Sequence, residues 1–158
     1  MKLGNYQNLR YQKFNLLGNP LIEEFYNNPF GNDRGMDISV DRNGNAFITG
    51  FIYNNITNSN DIICLKFDQQ GTLLWYNILV NPGDDKGFGL DFEISANYKV
   101  EEIYLTGYST KQNGQKCISI IKLDEYGDLV WQRDTSLSGK HDIATDIFVV
   151  AGYVYFWK

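Results

Sequence analysis

The side chains in this sequence best placed to do chemistry are charged residues just ahead of β-forming runs: Asp33-Arg34, Asp85-Lys86 and His141-Asp142. A carboxylate beside a cation or an imidazole at the start of a strand can hold the polar groups of a partner. These six are therefore the candidate ligand-facing loop residues. Catalysis finds less support. His141 is the only histidine, which removes histidine pairs and histidine-rich metal sites by counting. No G-x-S-x-G elbow or P-loop occurs, and Gly87-Phe88-Gly89-Leu90-Asp91-Phe92 lacks the third glycine of a dinucleotide fingerprint. Asp41-Arg42-Asn43-Gly44-Asn45 alternates oxygen ligands as calcium loops do. No bidentate Glu closes it, so it reads as a hairpin turn. Asp84-Asp85 and Glu101-Glu102 read as a solvated acidic rim. Catalytic, cofactor-binding and metal-binding residues are thus expected to be none, and cofactors none.

The bulk numbers agree with a sheet protein that binds no polyanion. The 158 residues are 43% apolar and 15% aromatic, with 11 Tyr and 10 Phe, a composition that favours strands. A formal net charge of −5 with no basic cluster argues against nucleic-acid and membrane-surface roles. No apolar run approaches the roughly 20 residues of a membrane-spanning helix. Residues 1–8 hold no apolar stretch of the signal-peptide kind. Cys64 and Cys117 have no C-x-x-C spacing and read as small buried hydrophobes, which leaves the compartment open.

The elements that would carry these residues follow from internal repetition. Lys66-Phe67-Asp68-Gln69-Gln70-Gly71-Thr72-Leu73-Leu74-Trp75 recurs 56 positions later as Lys122-Leu123-Asp124-Glu125-Tyr126-Gly127-Asp128-Leu129-Val130-Trp131. A fainter copy covers 13–22, with Asn15 at the Asp position and Ile22 at the Trp position. A second pattern alternates with it: Asp37 to Gly50, then Asp91 to Ser95 with Ile103 to Gly107, then Asp146 to Phe156. One unit is about 55 residues long, and each half reads as a β-hairpin. Asn-Gly and Asp-x-x-Gly turns join short strands of β-branched and aromatic residues. Residues 96–102 form a longer, altered turn. By the period of two, Leu73 and Trp75 share a face, as do Leu129 and Trp131. Both Trp residues read as core aromatics between sheets.

These residues resemble the SBBP-type β-propeller repeat, D-x-x-x-D-I-x-V-D-x-x-G-N-x-Y-[VI]-T-G followed by K-[FL]-D-x-x-G-x-x-x-W. Asp33, Asp37, Ile38, Val40, Asp41, Gly44, Asn45, Ile48, Thr49 and Gly50 match the first half, and Lys66, Asp68, Gly71 and Trp75 the second. The resemblance implies a repeat scaffold often found on surface or secreted bacterial proteins, with no activity attached to the repeat. Sialidase Asp boxes and quinoprotein tryptophan-docking motifs differ from this chain in the spacing of Asp, Gly and Trp.

The expected fold is all-β and propeller-like, in four-stranded antiparallel blades: a half blade over 9–32, blades over 33–82 and 83–139, and a half blade over 140–158. About three blades fall short of the roughly 4 to 8 of known propellers. Either two chains close a ring or the chain belongs to a longer propeller. The expected function is a non-enzymatic scaffold or binding module presenting loops to a protein or glycan partner. A fragment of a quinoprotein-like or glycosidase-like enzyme with its catalytic residues elsewhere is the alternative.

Overall fold

The computed structural model describes residues 6–95 and 100–158. Residues 96–99 of the expected long turn lie outside that range, and residues 100–102, expected in the turn, are already part of a paired strand. Among the described residues the chain forms twelve strands in four antiparallel sheets and no helix. β1 (Leu9–Phe14) and β2 (Pro20–Tyr26) make a hairpin. β3 (Arg34–Val40), β4 (Ala46–Asn54), β5 (Ser59–Phe67) and β6 (Leu73–Leu79) make a four-stranded sheet in chain order. β7 (Lys86–Ile94), β8 (Val100–Thr110), β9 (Lys116–Asp124) and β10 (Leu129–Thr135) repeat it, and β11 (Asp146–Val150) with β12 (Tyr153–Trp157) makes a second hairpin.

Turn chemistry fixes where each strand reverses. The side-chain oxygen of Asp41 accepts from the backbone N–H of Asn43 and Asn45, Asp68 from Gln70 and Thr72, Asp124 from Tyr126 and Asp128, and Asn15 from Leu17 and Asn19. Each turn then crosses the left-handed region at a glycine, with φ of +83° at Gly44 and +87° at Gly127, where a Cβ would be strained. The Asp41 oxygens are thus committed to the turn.

Two apolar layers separate the sheets. Leu9 and Tyr11 of the first hairpin pack with Ala46, Ile48, Ile63 and Leu65 on one face of the β3–β6 sheet. Phe47, Ile62 and Cys64 on its other face pack with Leu90, Ile103 and Leu105 of the β7–β10 sheet. Fully burying one Leu, Ile or Phe contributes about 1.5–3 kcal/mol, so these layers dominate the attachment of one sheet to the next. A tryptophan completes the second layer. A methyl group built on Gly127 would stand 2.7 Å from the Trp75 ring, so that turn and that indole meet through the missing side chain. Ile22 takes the same place against Gly71, 2.5 Å from a methyl built there.

Carboxylates stitch the first strands of neighbouring units. Asp37 accepts from the N–H of Ile38 with one oxygen and from Leu90 of the next sheet with the other, at 2.8 and 2.7 Å. Asp91 likewise accepts from Phe92 and from Val149, at 2.9 and 2.7 Å.

The register corrects two readings of the repeat. Gly35 pairs with Gly50 and Gly87 with Gly107, each followed by a bulge, so Asp37, opposite Thr49, corresponds to Gly89, opposite Thr106. Asp91 therefore stands at the position of Ser39, two residues from where matching the aspartates puts it. Further bulges let Phe67 pair with Leu73 while Lys66 pairs with Trp75, and Leu123 with Leu129 while Lys122 pairs with Trp131. Adjacent residues of a strand face opposite ways, so Leu73 and Trp75 lie on opposite faces, as do Leu129 and Trp131. Leu73 is exposed and Trp75 half-buried against the core.

Candidate functional site

Ahead of each first strand an aspartate bonds to the preceding unit. The N–H of Asp33 donates to Gln7 O at 2.7 Å, that of Asp85 to Asn60 O at 2.8 Å, and that of Asp142 to Lys116 O at 3.0 Å. All three side chains are buried. Asp33 Oδ1 accepts from the Tyr53 N–H at 3.1 Å and the Asn28 amide at 3.0 Å, and Asp85 Oδ1 accepts from the Thr110 N–H at 2.7 Å. The second oxygen of each has no hydrogen-bond donor. Burial is the larger influence on both and raises their pKa, that of Asp85 to about 6, with nearby Asp61 and Asp134 adding to it. Asp142 differs: the Lys158 ammonium at 2.5 Å, then Ser138 through N–H and hydroxyl, hold it well below the usual carboxylate range.

Asp33, Arg34 and Lys86 come together in one cleft of about 390 Å³, whose walls include Phe51, Asn32 and Asn60. Arg34 is exposed there. The Lys86 ammonium sits 4.2 Å above the Phe51 ring, a cation–π arrangement that keeps the charge at the surface. His141 is elsewhere, in a shallow depression of about 330 Å³ with Lys140 and Gln115, its Nδ1 accepting from the Lys116 N–H at 3.1 Å. Asp85 and Asp142 line neither depression.

The acidic doublet is not a solvated rim. Asp85 is fully buried, and Asp84 accepts from the Asn60 amide and the Tyr108 hydroxyl, both at 2.5 Å, with the Lys116 ammonium 3.9 Å away. Burial alone would raise Asp84. Those two donors and the charges of Lys86 and Lys116 outweigh it and lower the pKa. Glu102 pairs with Lys122 at 2.5 Å and accepts from the Tyr104 hydroxyl at 2.7 Å. Asp84 was hidden in the sequence because its partners come from three other strands. The adjacency of two acids ahead of Lys86 was the one available signal.

The described residues contain no group of three or more His, Cys, Asp or Glu side chains that could hold a metal ion. Cys64 and Cys117 are buried free thiols, and burial pushes the Cys64 thiol far up. No helix among the described residues is long and apolar enough to cross a membrane. The arrangement offers a small polar cleft with two cations and an aromatic wall. The chain matches no protein-family model and no curated protein.

Proposed function

We propose that the chain is a non-enzymatic β-propeller scaffold, similar to SBBP-type repeats, that binds a protein or glycan partner at the end where its first strands begin. Support for the propeller arrangement comes from a contact repeated between successive units, Ile22 on Gly71 as Trp75 on Gly127, and from the same kind of carboxylate bond recurring two residues further along the strand, Leu90 on Asp37 and Val149 on Asp91. The binding reading is carried by the cleft that Arg34 and Lys86 line together with Asn32, Phe51 and Asn60. Such a site suits an acidic group, which the two cations would hold.

The test is a heteronuclear NMR titration with uronic-acid oligosaccharides, neutral oligosaccharides and acidic peptides. The expected result is shifts confined to Arg34, Phe51, Tyr53 and Lys86 on adding an acidic ligand, weakened by salt and lost in Arg34→Ala and Lys86→Ala. Unperturbed spectra with every ligand would sink the binding reading.

A further inference from the structure

Each surface that one unit presents to the next inside this molecule recurs, uncovered, at its two ends. Ile38, Leu90 and Ile147 occupy one register position on β3, β7 and β11; Leu90 and Ile147 are 3% and 4% exposed, whereas Ile38 is 48% exposed. Val40, on the same face, is also exposed. On the opposite face, Phe47, Tyr104 and Tyr155 are equivalent. The first two are 0% and 6% exposed beneath the next unit, and Tyr155 is 53% exposed with Phe148 and Trp157 beside it. The outer halves repeat this. Gly71 and Gly127 receive Ile22 and Trp75, while Gly18, in the equivalent turn at φ +81°, has nothing within 4 Å. Trp131, the next residue of the series Ile22, Trp75, has no such turn glycine against it.

The hydrogen-bonding edges match as well. β1 and β12 each pair on one side only, and they are the counterparts of β5 and β4, which pair with each other. We propose that a second copy of this chain docks on these faces, its β1 adding to β12 so that the two hairpins complete one four-stranded sheet. Phe47 pairs with Lys66 and Tyr104 with Lys122, each lysine lying over its partner's ring at 4.9 and 5.7 Å. The same register sets Tyr155 opposite Lys13 of the second copy, Val154 opposite its Phe14 and Trp157 opposite its Tyr11. Trp131 then meets Gly18 of the second copy, and Phe148, Tyr155 and Trp157 cover its Ile38 and Val40. Two identical junctions form, and two copies of three units close a ring of six, inside the range of known propellers. The inference rests on the repeat-propeller reading but not on the ligand cleft, whose walls include none of Ile38, Val40, Phe148, Tyr155 and Trp157.

Light scattering on the chain tests it. A discrete species of twice the chain mass is expected. Ile38→Lys and Phe148→Asp alter exposed residues, so each variant should keep the wild-type circular dichroism and elute as a monomer. An equimolar mixture of the two should regain dimers, because one junction of the mixed pair is wild type and the other joins Lys to Asp. A wild-type monomer at about 100 μM, a ladder of open polymers, or a mixture that stays monomeric would overturn the closed pair. A monomeric wild type that still gave the acidic-ligand shifts would leave the binding reading intact while ending this one.

Discussion

The β3–β6 and β7–β10 sheets share strand order, bulges and turn chemistry, yet the ends where β3 and β7 begin are finished differently. Ahead of β7 the chain places Asp84, and β8 supplies Tyr108 and β9 Lys116 to hold it. Ahead of β3 the matching positions are Asn32, Phe51 and Asn60, and the cations nearby are Arg34 and Lys86. In the second sheet an internal carboxylate occupies the pocket, whereas in the first the pocket stays polar, cationic and open. Three exchanges, Asp to Asn, Tyr to Phe and Lys to Asn, thus separate the filled end from the open one, while strand order stays the same.

Breaking the filled end should have the largest effect. Tyr108→Phe copies the β3 sheet's residue into the β7 sheet and deprives Asp84 of its hydroxyl donor, at an expected cost of about 1–3 kcal/mol in urea denaturation at pH 7. The same change should raise the Asp84 pKa, readable by carboxyl-carbon NMR.

A somewhat smaller effect is expected at Asp85. Its raised pKa means the folded chain holds a proton that the unfolded chain has released between about pH 4 and 6, so stability falls as pH rises through that window. Asp85→Asn keeps the acceptor for Thr110 and removes the buried charge. It should gain about 1–2 kcal/mol at pH 7.5 and nothing at pH 4. Equal pH profiles for wild type and variant would show that this burial carries no electrostatic cost. Asp142 sharpens the contrast. Its pKa is depressed, so its contribution is present at neutral pH and is lost as pH falls below the ordinary carboxylate range. Asp142→Asn should destabilise at pH 7 and converge with wild type in acid.

The smallest change in stability should come from filling the open cleft. Asn32→Asp keeps an acceptor for the Gln7 N–H and sets a carboxylate beside the Arg34 cleft, a surface substitution expected to move stability by under about 0.5 kcal/mol. Binding should respond far more, with acidic-ligand shifts weakened at least about tenfold through loss of one favourable charge contact.

The hairpins were legible in the sequence because each turn announces itself with a short side-chain acceptor followed by a glycine, as at Asp68-Gly71 and Asp124-Gly127. The core strands were legible because their β-branched and aromatic residues cluster between those turns. Register was not. Bulges at Met36 and Phe88 and between Leu73 and Trp75 leave no mark in residue type, so matching Asp37 to Asp91 by identity misplaced the second by two residues. The candidate site was legible in its chemistry and not in its geometry. Asp33 and Asp85 are distinctive ahead of strands, but their burial between units depends on backbone bonds to Gln7 and Asn60, more than 20 residues away. The meeting of Arg34 with Lys86 depends on how one sheet lies against the next, which no local pattern encodes.

The two cysteines give this molecule a built-in clock. Cys64 sits in β5 and Cys117 in β9, one in each four-stranded sheet, and neither exposes any surface. A thiol reagent can reach either sulfur only while its own sheet has come away from its neighbours, so the two modification rates time the separation of each sheet in the native protein.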